Sequence, residues 1–392
     1  MKRLYKGLLW ICLAGMLAGM GGCSYVRDTV LSAKETVEAV RKRAHTPAAT
    51  KEPVAETDGV HQEYYFKQLS DNEKRTYREL LAGIQAFEDE ILVSDIDNDA
   101  IDRAYRALLK DHQEVFWVHN GQIYYKTINK GDTDFMPSYG YTQEEAAGIQ
   151  GAMEQAYQQV AALLPEGVST YDKVRVVYDY VIGCTEYVIN ENDQNIAGVF
   201  DQGQAVCAGY AGAVQYLLER LGVESIYVSG ETKMSSGGHA WNIVNIDGSY
   251  YYVDATNGDQ PDLLGLGGSV PLYDYLAPFP GEYSQICWPD EEFSLPECTA
   301  VDYNYYMMNG NCFSSYDWDT LYGYLTGQIS QGAHLMRVKY MDADSYQAAY
   351  TDLVVNGRIE EVARYYMDVQ GIPQVEYHYS NMDDLLTLYV MM

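Results

Sequence analysis

"QAVCAGYAGAVQYLLERLGV", residues 204–223, decides the fold. A glycine-punctuated loop, "FDQGQAV", runs into Cys207, and Ala211, Val214, Leu217, Leu218 and Leu221 then recur on one face of a helix that Gly222 closes. The cysteine therefore stands at a helix N-terminus, where unpaired N–H groups and the macrodipole favour a thiolate. Position alone does not make a nucleophile, because buried free cysteines are common and most are inert. Before this helix, "YDKVRVVYDYVIG" reads as another amphipathic helix. After it, "SIYVSG", "HAWNIVNI" and "SYYYVDAT" are rich in β-branched and aromatic residues and read as strands.

The partners a thiol needs stand in "SSGGHAWNIVNIDGSYYYVDATNGD", residues 235–259. His239 begins a strand, Asp247-Gly248 is a hairpin turn signal, and Asp254 lies in the returning strand. A two-residue loop pairs Ile246 with Ser249 and makes Asp254 the diagonal neighbour of His239. A four-residue loop sets the two directly opposite. Both registers put imidazole and carboxylate on one face, because side chains alternate with period two; a three-residue loop or a bulge would separate them. A thiol needs a base beside it, and the imidazole needs a third group to orient it and stabilise its charge. Cys207, His239 and Asp254 supply those three types. Gln204 is a candidate to turn its amide toward an oxyanion, and Trp241 a candidate wall of the substrate groove.

"AVCAGYAGAVQYLLERLGV", "GGHAWNIV" and "YYYVDATNGD", with "YDYVIGCTEYV" and "NIAGVF" upstream, resemble the bacterial transglutaminase-like superfamily. The resemblance covers roughly residues 165–260. It implies an α+β, papain-like fold in which the helix carrying the nucleophile packs on an antiparallel sheet, with Cys207, His239 and Asp254 as the catalytic residues. It implies an enzyme that acts on peptide or glutamine amide bonds through a thioester on Cys207, by hydrolysis or by transfer to an amine. The alternative is a non-catalytic module that holds a peptide or wall polymer in the same groove. No HExxH, paired CxxC, GxSxG or P-loop is present, so no metal and no cofactor is expected.

The rest of the chain supplies context. At 392 residues it is long enough for two or three domains, and 47% hydrophobic residues give each a core. A formal charge of -30 repels nucleic acid and anionic lipid surfaces. Residues 1–22 read as an export signal: Lys2, Arg3 and Lys6, then an apolar run shorter than the roughly 20 residues that span a bilayer. Met20-Gly21-Gly22-Cys23 resembles the lipobox of bacterial lipoproteins, which implies lipid on Cys23 and an extracytoplasmic, membrane-anchored protein whose substrate is a peptide, a protein or cell-wall peptide. Residues 23–60, ending in "HTPAATKEPVAETDG", read as a tether.

Residues 61–165 are expected to form an α-rich module with capping boxes at Ser70 and Thr142 and a hairpin turning at Asn120-Gly121. Asp95, Asp97 and Asp99 alternate like the start of a calcium loop, but Ala100 and Arg106 fall where glycine and glutamate are required, so helix capping is the reading. The core is expected over 166–290, and a small α+β accessory unit over 291–392, with "YNYYMM" as one of its strands. Of seven cysteines, Cys12 lies in the leader and Cys23 is the expected lipid site, which leaves Cys184, Cys207, Cys287, Cys298 and Cys312, and spacing does not say whether the four other than Cys207 pair.

Overall fold

A computed structural model describes residues 63–392, apart from 95, 120–123, 130, 131, 191–193, 236 and 266–269. The leader, Cys23, the tether and the Asn120-Gly121 turn lie outside the described residues.

The first elements follow their caps. Helix α1 (Asp71–Gln85) opens on a reciprocal capping box, in which the Ser70 N–H donates to the Glu73 carboxylate at 2.7 Å. Strand β1 (Ile91–Ser94) precedes α2 (Asn98–Asp111), whose N-cap Asp97 accepts the Ala100 N–H at 2.9 Å, so Asp97 is a helix cap, while Asp95 lies outside the described residues. Strands β2 (Tyr124–Asn129) and β3 (Asp132–Met136) pair antiparallel and, with β1, form a sheet of order β1-β3-β2. The hairpin thus forms one segment later than its aromatic residues suggested. Phe116 and Trp117 are buried side chains packed edge to face rather than strand residues. Helix α3 (Gln143–Ala162) starts at the Thr142 capping box and ends short of Pro165.

The central part is built as its sequence order implies. Helix α4 (Thr170–Cys184) and short strands β4 (Glu186–Tyr187) and β5 (Gln204–Ala205) lead into α5 (Cys207–Arg220). Strands β6 (Ser225–Thr232), β7 (Gly238–Ile246) and β8 (Ser249–Val253) follow, and α5 packs on β6 and β7. Val214, Leu217 and Leu218 of α5 are fully buried there, each worth about 1.5–3 kcal/mol relative to exposure. Asp247 and Gly248 both take positive φ, 53° and 91°, the signature of a tight two-residue hairpin turn, and Ile246 pairs with Ser249 as that loop requires. Two short helices, α6 (Ala255–Gly258) and α7 (Pro280–Tyr283), precede strand β9 (Cys287–Pro289), which completes an antiparallel sheet of order β8-β7-β6-β9.

The C-terminal residues form helix α8 (Tyr305–Met308), strand β10 (Cys312–Phe313), helix α9 (Trp318–Ser330), strand β11 (Leu335–Tyr340), helices α10 (Ala343–Tyr350) and α11 (Ile359–Gln370), and strands β12 (His378–Met382) and β13 (Thr387–Met391). Their sheet has the order β10-β11-β13-β12. "YNYYMM" is a helix and not a strand: Asn304 caps it by accepting the Tyr306 and Met307 N–H groups. One apolar cluster runs from Tyr65 to Tyr389, and a second lies between the C-terminal sheet and its helices.

Candidate active site

Cys207 is the first residue of α5, entered from the extended backbone of Val206 (φ −104°, ψ −175°). Its side chain is half-buried. Asn242 of β7, itself buried, donates from Nδ2 to the Ala211 carbonyl at 3.0 Å and so fixes the cysteine's helix against the histidine's strand.

His239 sits near the start of β7 opposite Gly230, with 7% of its surface exposed. The β7–β8 ladder ends at Asn242–Val253, so Asp254 is not on a paired strand as the diagonal neighbour of His239 that the two-residue loop implied. The chain turns one residue past β8, and Asp254 becomes the N-cap of α6, with its Oδ1 accepting the Asn257 N–H at 3.0 Å. From that position Oδ2 accepts His239 Nε2–H at 2.8 Å, Asn257 Nδ2–H at 2.7 Å and the Tyr283 hydroxyl at 2.9 Å. The seat of α6 depends on Gly258, where a Cβ would stand 1.8 Å from the Tyr178 hydroxyl of α4.

The electrostatics follow from this geometry. Burial on its own pulls the His239 pKa down, but the Asp254 charge and hydrogen bond, with a hydrogen bond to Cys207, carry it up to about 11. Since Nε2 is held by Asp254, the proton shared with the thiol belongs to Nδ1. An imidazolium and a helix N-terminus meeting at one sulfur both stabilise an anion there. The five described cysteines are all free thiols. Burial pushes the thiols of Cys184 and Cys287 up, that of Cys312 to about 11 and that of Cys298 to about 12, which keeps them protonated.

Cys207 and His239 open onto a cleft of about 830 Å³, with Tyr187 and Ile189 exposed in its lining and Glu231 and Asp290 as its carboxylates. Two expectations meet a different placement. Trp241 is 2% exposed and does not line the cleft; its ring stacks on the His239 imidazole at 5.7 Å and 26°, supporting the base from inside the core. The Gln204 amide donates to Glu186 at 3.4 Å, and Gln204 is not among the cleft's lining residues.

The structure also brings in residues that sequence reasoning missed. Asn257 is three positions past Asp254, a spacing that an N-cap reading of "DATN" would have found. Tyr283 and Cys287 come from distant positions with no local signal. His239, Asp254 and Cys287 have donor atoms within 4.8 Å of one another, a set of types that a soft divalent cation accepts. Asp254 Oδ2, however, already accepts three hydrogen bonds, so the cluster is built as a hydrogen-bond network rather than a metal cage.

A thiol on a helix start, an imidazole on the sheet behind it and a buried carboxylate orienting that imidazole agree with one family model. Residues 158–255 match the transglutaminase-like superfamily. The match runs from within α3 to just past Asp254, so the transglutaminase-like core contains Cys207, His239 and Asp254, whereas Tyr283 lies outside it. No curated protein matches the chain. Among solved structures the chain is similar to a TGase, at 14% identity and TM-score 0.26, covering 43% of this chain and 52% of that one. It is also similar to a candidate cysteine protease from Cytophaga hutchinsonii, at 15% identity and TM-score 0.23, covering 34% of this chain and 61% of that one. A third is a candidate protease from Parabacteroides distasonis, at 10% identity and TM-score 0.21, covering 33% and 35%. The chain spans about half the length of the TGase.

Proposed function

We propose that the chain is a cysteine enzyme acting on amide bonds, and that Cys207, His239 and Asp254 carry the reaction. The observation that supports this most is the buried 2.8 Å contact between His239 and Asp254, with Cys207 hydrogen-bonded to the same ring. The Cys207 sulfur attacks a peptide or carboxamide carbonyl, its proton having passed to His239. The tetrahedral intermediate collapses as His239 protonates the departing amine or ammonia, leaving a thioester on Cys207. Water, or an amine, then gives its proton to neutral His239 and attacks the thioester, which releases an acid or a new amide and restores the thiol. Asp254 stabilises the imidazolium whenever it forms. Water is always at hand, and hydrolysis is the outcome favoured here. The leader and Cys23 add the proposal that the enzyme is exported, held to the membrane by lipid, and works on peptide, protein or wall peptide in the cell envelope. Gln204 would join the oxyanion site only after turning from Glu186.

Incubating the chain and its Cys207→Ala variant with peptides and an amine donor, followed by intact mass, tests the reading. A thioester or product confined to the wild type supports it, and amine or water incorporation names the acceptor. If neither protein changes any peptide and Cys207 resists alkylation, the chain is a binding module.

A further inference from the structure

The C-terminal hundred residues carry no chemical signature, yet they hold the segment that meets Asp254 from behind. On its inner side residues 272–283 touch Asp254 twice: the Tyr275 carbonyl accepts the Asp254 N–H at 3.0 Å, and the Tyr283 hydroxyl donates to Oδ2 at 2.9 Å. On the outer side Lys339 of β11, 2% exposed, donates to Glu282 Oε2 at 2.6 Å and also to the Leu385 carbonyl. Asp274, also buried, accepts the hydroxyls of Tyr306, at 2.9 Å, and of Tyr389 on β13. Asn304 Nδ2 donates to the Ala277 carbonyl at 3.0 Å. We infer that Tyr283 is a positioning residue for the Asp254–His239 pair, and that the C-terminal unit sets it in place through Lys339 and Glu282.

This inference rests on the reading of Cys207 as a nucleophile. Tyr283 is 1% exposed and so acts through Asp254 rather than on substrate. A buried carboxylate is solvated only by the donors the protein supplies. Without the Tyr283 hydroxyl, Oδ2 keeps only His239 and Asn257, and the carboxylate is held less firmly toward the imidazole. The ring itself packs on Tyr252, with centroids 4.6 Å apart, and edge-on to Trp241 at 6.1 Å. Tyr283→Phe therefore keeps the packing and removes only the hydroxyl.

The test follows alkylation of Cys207 by iodoacetamide as a function of pH, on the whole chain, with the label counted at Cys207 by peptide mass and folding checked by thermal unfolding. Tyr283→Phe is expected to move the inflection of the rate up by about one pH unit, which makes labelling about tenfold slower below it. The double variant Glu282→Gln/Lys339→Met removes both charges at once, leaves no lone buried ion, and is expected to move it the same way. Combining it with Tyr283→Phe should add nothing, because both act through one hydroxyl. Should the double variant not fold, Glu282→Gln takes its place. A Tyr283→Phe profile that overlays the wild type overturns the inference while leaving the enzyme reading intact. Losses that multiply separate the C-terminal unit from Tyr283. Wild-type labelling indifferent to His239→Ala overturns the enzyme reading, and this inference with it.

Discussion

The sheet β8-β7-β6-β9 and the sheet β10-β11-β13-β12 are both four-stranded, but they bury different things. The first has His239 and Asn242 on its strands and Asp254 and Asn257 at its edge, buried and each given partners. The second covers Met336, Val338, Leu388 and Val390 with Leu325 and Ile329 of α9, and its buried Lys339 faces the first sheet's side through Glu282. A polar group in a core is costly unless hydrogen-bonded, so its presence marks a site or a joint. Here the first sheet holds the site, and the second contributes a joint.

Breaking the first sheet's cluster should have the largest effect. Cys207→Ala or His239→Ala should lower turnover at least about a thousandfold, read as product mass against time. Breaking the joint comes next. Lys339→Met leaves the half-buried Glu282 side chain without its cation, and chemical denaturation should show a loss of about 1.5–3 kcal/mol.

Stability against pH separates the two sheets by window. The folded pKa of His239, about 11, stands above the ordinary 6.5, so its contribution is complete below about 6.5 and is lost as pH rises through about 11. Burial lifts Glu282 from 4.5 to about 7, with Lys339 pulling the other way. Its sign is the same and its window lower: the contribution is full below about 4.5 and is gone above about 7. Urea unfolding across pH should therefore lose part of its lower slope in Glu282→Gln and part of its upper slope in His239→Ala. The smallest effect sharpens the contrast from outside. Lys233 and Asp384 also form an ion pair across this junction, at 2.7 Å, but their side chains are 36% and 59% exposed, and Lys233→Ala should cost less than about 1 kcal/mol by the same denaturation.

How much of this could be read from residues alone depends on distance along the chain. The Asp247-Gly248 turn fixes parity, and parity puts His239 and Asp254 on one face. It did not give the means, because the ladder stops at Val253 and the contact is made from a helix cap. Caps at Ser70, Thr142 and Asp97 were legible because their partners are three residues away. "YNYYMM" misled because its aromatic composition favours a strand, and Asn304 overrides it locally. Trp241 misled for another reason: alternation sets the face a residue shares, not whether that face meets a cleft or a core. Tyr283 was beyond reach, since its approach to Asp254 is set by a path through 255–282 that no local period encodes.

That Asp254 caps α6 while orienting His239 ties the chemistry to the order of assembly. The carboxylate takes its direction once the chain beyond Val253 has turned into that helix, three residues on. A polypeptide emerging from its N-terminus carries Cys207 and His239 well before Tyr283 and Lys339, so the last donor to the Asp254 carboxylate is also the last to be made.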